Sequence, residues 1–303
     1  MNNRYRPRRS VLYMPGSNTR ALEKGRTLPA DALILDLEDA VAADAKVQAR
    51  ENIVAAIAEG GYGYRELVVR INAFGTPWGY DDLVAVCGSK ASAVLLPKVE
   101  SGDIVRQAET VMAAHGAPAE MEIWAMMETP LGMLHAESVA GSSPRLSCLV
   151  MGTSDLAKDL HAIHTRDRMP MLTSLGLCLL AARAYGLDIL DGVHLDLRDD
   201  EGLAYSCQQG VQFGFDGKTL IHPRTIEIAN QAFSPSPEEV EWSHKIIAAH
   251  AAAMAEGKGV AVFEGKLIEN LHVENAKRIV AMAEAVAERA AEEPAAPQAA
   301  AGD

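Results

Sequence analysis

The 303-residue chain is 49% hydrophobic but only 5% aromatic, and it carries a net charge of −13 at neutral pH. That length holds one barrel-sized domain plus an appendage, and the aliphatic bias favours an α/β enzyme over an all-β binding module. The acidic balance argues against nucleic acid as a partner, and no run approaches the 18 apolar residues of a membrane span.

The opening MNNRYRPRRSVLYMPG lacks the charged-then-apolar pattern of a secretory leader, and RPRR (Arg6 to Arg9) reads as a solvated entry to the first strand. Eight short apolar runs then predict strands: SVLYM (10–14), ALILDL (32–37), ELVVRI (66–71), AVLLPK (93–98), EIWAMM (122–127), CLVMG (148–152), ILDGV (189–193) and KTLIH (218–222). Between them NTRALEKGRTL, KVQARENIVAAIAEG, GDIVRQAETVMAAHG and MLTSLGLCLLAARAYG carry helical apolar spacing, several closing on glycine. This repeated alternation is the pattern of a (β/α)8 barrel. An open doubly wound sheet is disfavoured, because neither GxGxxG nor GxxxxGK[ST] occurs.

After residue 233 the composition shifts. SPSPEEVEW starts a helix with Pro237 near its first position, and an Ala-rich stretch carries it to about Gly257. GVAVFEGKLI reads as a hairpin turning at Glu264-Gly265, and VENAKRIVAMAEAVAERAAEE as a last amphipathic helix. The expected organisation is a catalytic barrel over 1–233, an extension over 234–292 and a disordered tail over 293–303. Cys87, Cys148, Cys178 and Cys207 have no paired spacing. They read as reduced core thiols of a cytoplasmic protein.

In such a barrel the chemistry belongs at the C-terminal strand ends. Asp36 and Glu38 share one face of strand two by alternation, and strand three ends in Arg70 and Asn72. Strand four ends in Lys98, strand five in Glu128, strand six in Asp155 and strand eight in His222. Asp36 and Glu38 equally suit a structural role as buried partners of Arg70 and Lys98, and His222, before Pro223, suits a structural histidine. His161 and His164 in HAIHTRD have too few companions for a metal site. Glu128 and Asp155 are the sharper pair. Two carboxylates without His or Cys beside them suit Mg²⁺, which leaves its other positions to water and substrate oxygens. A 2-oxo acid could chelate that cation, and Arg70 would supply a fork-shaped donor for the developing oxyanion.

The strings SVLYMPGSN, LILDLEDAV, VVRIN, LLPKVE, METPLG, GTSDLAKDL and DGKTLIHP, in this order, resemble the citrate lyase β-subunit-like family within the HpcH/HpaI aldolase group. Malyl-CoA and citramalyl-CoA lyases belong to the same group, and the resemblance runs from residue 9 to about 280. It implies a phosphoenolpyruvate/pyruvate-type TIM barrel, Mg²⁺ as cofactor, a CoA-thioester substrate with a small 2-oxo acid, and a homotrimer with shared active sites. It implies Glu128 and Asp155 as metal ligands, Arg70 as substrate and oxyanion residue, and Glu38 and Asp39 around the metal's waters. One position departs from the pattern. Where the CoA lyases carry an acid/base Asp in GxMID, this chain has GKLIEN, which puts Glu269 there. Glu has a similar intrinsic pKa but an arm one methylene longer.

The first reading is therefore a Mg²⁺-dependent lyase cleaving or forming the C–C bond of a 3-hydroxyacyl-CoA such as malyl-CoA or citramalyl-CoA. Glu269 would act from the next subunit, and Arg20, Lys24 and Lys98 are the candidate cations for the CoA substrate. Two alternatives stay open: a malyl-CoA thioesterase on the same scaffold, the Asp-to-Glu change being the place for such a switch, and a citrate lyase β-chain acting on an acyl-carrier-protein thioester within a complex. A barrel without catalysis is disfavoured by the intact Arg70, Glu128 and Asp155.

Overall fold

The computed structural model describes residues 5–257 and 261–292. The expected tail over 293–303 lies outside them, as do Lys258, Gly259 and Val260 before the hairpin. Backbone proximity divides the described residues into two compact units, Arg8–Phe233 and residues 5–7 with 234–257 and 261–292.

Along the first unit run β1 (Ser10–Pro15), α1 (Thr19–Gly25), β2 (Ala32–Asp36), α2 (Lys46–Glu59), β3 (Glu66–Arg70), α3 (Gly79–Cys87), β4 (Ala93–Leu96), α4 (Gly102–Ala114), β5 (Glu122–Met127), α5 (Pro130–Leu134) and α6 (Ala136–Ala140). They continue through β6 (Leu146–Met151), α7 (Thr153–Asp159), α8 (Leu172–Ala184), β7 (Asp188–Asp191), α9 (Asp200–Phe213), β8 (Gly217–Leu220) and α10 (Ile226–Ala232). The eight strands close into one parallel barrel, with Val11 of β1 opposite Thr219 of β8 at the seam. Each strand is buried on both faces, which is why it reads as a continuous apolar run. Alternate residues such as Val11, Ile34, Val68, Leu95, Trp124 and Val150 fill the barrel, while Leu12, Leu35, Val69 and Leu149 pack under the helices. The four cysteines are buried free thiols.

The lower end corrects the reading of RPRR. Arg8 and Arg9 are buried, not solvated. Arg8 donates from Nε and Nη2 to Glu66 (2.9 and 2.8 Å), from Nη2 to Glu122 (2.8 Å) and from Nη1 to Asp188 (2.7 Å). These three acids open β3, β5 and β7, alternate strands whose inward residues form a layer in this fold. The Arg8 guanidinium also lies 4.7 Å from the Trp124 ring centre. Burial works against its charge, and Glu66, with Cys148 and Asp188, more than offsets it. Arg9 holds Asp31 at 2.8 and 2.9 Å. A charge run can look solvated when its partners lie 22 to 180 residues away.

The second unit holds α11 (Pro237–Ala255), β9 (Ala261–Phe263), β10 (Lys266–Ile268) and α12 (Asn270–Glu292). Ser236 and Glu239 form a reciprocal capping box (3.1 and 2.8 Å), with Pro237 opening the helix as its fixed φ allows. The hairpin turns at Glu264 (φ 48°) and Gly265 (φ 76°), the paired positive angles that match strand twist in a two-residue turn. Among the described residues no helix is long and apolar enough to cross a membrane.

Candidate active site

Beyond Val11, Val68 and Trp124, the next inward residues of β1, β3 and β5 are Tyr13, Arg70 and Met126. In β7 the position after Leu190 falls to Gly192, which has no side chain to fill the mouth. The Arg70 guanidinium lies 4.9 Å from the Tyr13 ring centre, and the Tyr13 hydroxyl 4.0 Å from the Met126 sulfur. Above them opens a cavity of about 330 Å³, lined among others by Tyr13, Asp39, Arg70, Glu128, Asp155 and Ile221.

The acids and cations of the mouth form one network. Asp36, the last residue of β2, takes Arg70 Nε and Nη2 in a bidentate pair (2.7 and 2.6 Å), a geometry only arginine offers. Asp36 also accepts the backbone N–H of Glu38 (2.9 Å) and Ala40 (3.2 Å), which curls the following loop over the barrel. Glu38 then reaches Arg70 Nη1 at 3.0 Å and Lys98 Nζ at 2.7 Å, and Asp39 lies 3.4 Å from Arg70 Nη1. Lys46 secures the loop from behind, donating to the carbonyls of Leu37 and Glu38 (2.8 Å each). The structural role foreseen for Asp36 and Glu38, as buried partners of Arg70 and Lys98, is thus present.

Glu128 follows β5 directly. Thr129 caps α5 through Gly132 N–H (3.0 Å) and Pro130 takes its first position, so METPLG is a strand end, a carboxylate, a cap and a helix start in succession. Glu128 is 2% exposed, and its Oε1 accepts the Lys98 N–H at 2.7 Å. Burial, with Glu38 adding to it, pushes the Glu128 carboxyl up to about 7 despite that amide. Burial raises Glu38 as well, whereas at Asp39 burial is outweighed by Arg70, Glu38, Lys98 and Lys46 together, which lower it. Asp155 corrects another expectation. It does not end strand six, which stops at Met151, but stands in the first turn of α7, with Oδ2 3.4 Å from Lys98 Nζ. Gly152 is the reason the pair fits together, since a Cβ there would fall 2.4 Å from Glu128 Cβ and 2.7 Å from its Oε2.

The donors fit a hard divalent cation. Four carboxylates (Asp36, Glu38, Asp39 and Asp155) share two direct counter-ions, Arg70 and Lys98, and Glu128 beside them takes the neutral Lys98 amide. Glu38 Oε2 is buried and ion-paired with Arg70 Nη1 at 3.0 Å without hydrogen-bond geometry. Among the described residues no group of three or more His, Cys, Asp or Glu is placed to hold a metal, so a site here would use two carboxylates and fill its shell with water or ligand oxygens. That is the habit of Mg²⁺, not of zinc.

Other candidates lie apart. Arg20 and Lys24 are exposed on α1, and His161 and His164 are exposed in the turn after α7. His222 is exposed and caps the chain at Arg224 N–H (3.2 Å), a structural role. Asn72 shapes the turn after β3 by donating to Asp82 (2.6 Å). Glu269 belongs to the second unit, where it is exposed and its N–H donates to His272 Nδ1 (3.0 Å). The sequence reading missed Tyr13, although alternation with Val11 in SVLYM already turned it inward. It also missed Gly152 and Lys46, whose roles depend on contacts across elements.

Comparison with known proteins gives a family and several relatives. The family model described as HpcH/HpaI aldolase/citrate lyase matches residues 9–223. A (3S)-malyl-CoA thioesterase of Cereibacter sphaeroides is 51% identical over 281 residues, 93% of this chain and 96% of the relative. The mitochondrial citramalyl-CoA lyase of Homo sapiens is 31% identical, over 95% of this chain and 89% of its own. The crystal structure of CitE from Mycobacterium tuberculosis in complex with magnesium, acetoacetate and coenzyme A superposes with a TM-score of 0.72 at 30% identity, over 92% of this chain and 98% of that one.

Proposed function

The chain belongs to the HpcH/HpaI aldolase/citrate lyase family, and on that premise we propose that it is a Mg²⁺-dependent thioesterase, hydrolysing (3S)-malyl-CoA or a close 3-hydroxyacyl-CoA to the free hydroxy-diacid and CoA. The observation that carries this reading is the 51% identity to a malyl-CoA thioesterase, spread over nearly the whole of both chains. It moves the weight from carbon–carbon cleavage to hydrolysis, with Glu269 as the position where the two chemistries part.

In this reading Glu128 and Asp155 hold the cation, which when bound polarises substrate oxygens as a Lewis acid. Arg70, fixed by its bidentate pair with Asp36, offers a preorganised positive charge to the oxyanion that forms as water adds to the thioester carbonyl. Glu38 and Asp39 order water at the mouth. Glu269, reaching the site of a neighbouring copy in a homotrimer, takes the proton from the attacking water. The new C–O bond then replaces C–S, and CoA leaves as the thiol. The cavity's 330 Å³ accommodates a small hydroxy-diacyl group, with the CoA portion left outside. Arg20 and Lys24 are the candidate cations for the CoA phosphates.

The second reading, C–C cleavage to an acyl-CoA plus glyoxylate or pyruvate, draws on the citramalyl-CoA lyase relative. Incubation of the purified protein with malyl-CoA and Mg²⁺ separates them. Free malate and thiol appearing together, without glyoxylate, is the expected result. Glyoxylate with acetyl-CoA would install the lyase reading, and undiminished turnover in EDTA would remove the metal.

A further inference from the structure

Lys98 touches three of the mouth's carboxylates with two different parts of itself. Its backbone N–H donates to Glu128 Oε1 at 2.7 Å. Its ammonium lies 2.7 Å from Glu38 Oε1 and 3.4 Å from Asp155 Oδ2. The residue is in the left-handed region (φ 48°), which a side-chain-bearing residue rarely occupies. That twist lets the amide meet Glu128 while the side chain meets Asp155, across the space between the two proposed metal ligands. The Lys98 side chain is 40% exposed, so it is not sealed in.

Resting on the metal site proposed above, we infer that Lys98 is a built-in competitor of the divalent cation, its main chain positioning one ligand while its side chain partly neutralises the other. A divalent ion on Asp155 must share that carboxylate with an ammonium already beside it, and the two cations repel. The metal is therefore held loosely in the free protein. A ligand carrying two adjacent carboxylates gives Lys98 an alternative partner as it enters, so metal and ligand strengthen one another, a coupling that is reciprocal by linkage. The role differs from binding the substrate's CoA portion, because it acts on the cation before any thioester is present.

The test is Mn²⁺ binding by the full-length protein, followed by titration calorimetry and by the loss of the free-ion electron spin resonance signal. Lys98→Met keeps the backbone N–H to Glu128 and removes only the charge. Its affinity for Mn²⁺ should rise about tenfold to a hundredfold, the range for a unit charge about 5 Å from a divalent ion in a partly hydrated site. Lys98→Arg, which keeps the charge, should stay within about threefold of the wild type. Oxalate should tighten Mn²⁺ binding by the wild type more than by Lys98→Met. Melting curves show that both variants are folded. Unchanged or weaker Mn²⁺ binding by folded Lys98→Met overturns the inference while leaving the metal site standing, whereas a wild type that binds no Mn²⁺ at all overturns the site and the inference with it.

Discussion

A single added methyl group tests the site more stringently than deletion of a ligand, because it removes no charge and no donor. Gly152 has φ −98°, so its backbone does not require glycine; the space does. A Cβ at residue 152 would lie 2.4 Å from Glu128 Cβ, 2.7 Å from Oε2 and 3.3 Å from Cδ. Carbon atoms pack at about 3.5–4.0 Å, so Gly152→Ala must separate the two chains by about 1 Å. Glu128 cannot swing aside freely, since its Oε1 is tied to Lys98 N–H at 2.7 Å. Overpacking of this kind costs about 1–3 kcal/mol, read from chemical denaturation. A displacement of about 1 Å in a reacting group costs about 100-fold in rate, so turnover should fall by that order and Mn²⁺ affinity with it. Gly176→Ala on α8, where a Cβ meets nothing within 4 Å, is the control, expected to gain about 0.5–1 kcal/mol from helix propensity. If Gly152→Ala binds Mn²⁺ as the wild type does and turns over within about threefold of it, the assignment of Glu128 to the metal is wrong.

Glu128→Gln should abolish the rise in melting temperature that Mg²⁺ gives the wild type, and should melt higher than the wild type without metal, since a neutral amide escapes the burial that pushes Glu128 up to about 7. Arg8→Met leaves Glu66, Glu122 and Asp188 without their shared cation, a loss of about 3–5 kcal/mol by denaturation, with kcat unchanged in the fraction that stays folded. Asp188 gives a pH signature: burial, helped by Asp216 and opposed by Arg8, raises its carboxyl from 3.8 to about 6. The folded protein therefore holds a proton the unfolded chain has released, and this group's contribution is full below about 4 and lost as pH rises through 6. The melting temperature of the wild type should fall relative to Asp188→Asn across that window, and parallel curves would refute it. Glu269→Asp retracts an exposed carboxyl by one methylene, so hydrolysis should drop about 100-fold with no change in melting temperature; equal rates would make Glu269 a surface carboxylate.

The barrel was legible because its strands are buried on both faces and its helices on one, a contrast that survives in the sequence as continuous against periodic apolar runs. Strand ends were less so. The runs at 93–98 and 218–222 stop at Leu96 and Leu220, because Pro97 cannot donate to a ladder and Ile221 already turns into the cap of His222. Asp155 read as a strand end for the same reason: Gly152 breaks the ladder and Thr153 starts a helix, yet the side chain still arrives at the mouth. Alternation found Asp36, Glu38 and Arg70, residues close in the chain or on neighbouring strands. It could not find the partners of Arg8, which stand 58, 114 and 180 residues away. A signal did exist, since the three alternate strands ELVVR, EIWAMM and DILD all open on an acid.

The two ends of the barrel use the same parts to different effect. At the lower end Arg8 is enclosed by acids at 2.7–2.9 Å, and Asp188, the one raised to about 6, has a side chain 39% exposed and can draw on water. At the mouth Arg70 is enclosed in the same way, but there Glu128 is left without an ion pair among the described residues. Glu128 is 2% exposed and receives a neutral amide N–H where Glu66 receives a guanidinium. A carboxylate taken out of water costs several kcal/mol unless a cation compensates it. A fold under no functional constraint would replace such a residue by an apolar one of similar size, as the positions before it in EIWAMM already are. Glu128 lines an open cavity, and under the proposed function what compensates it is a cation entering from that cavity, which would account for a buried strand leading directly into a glutamate.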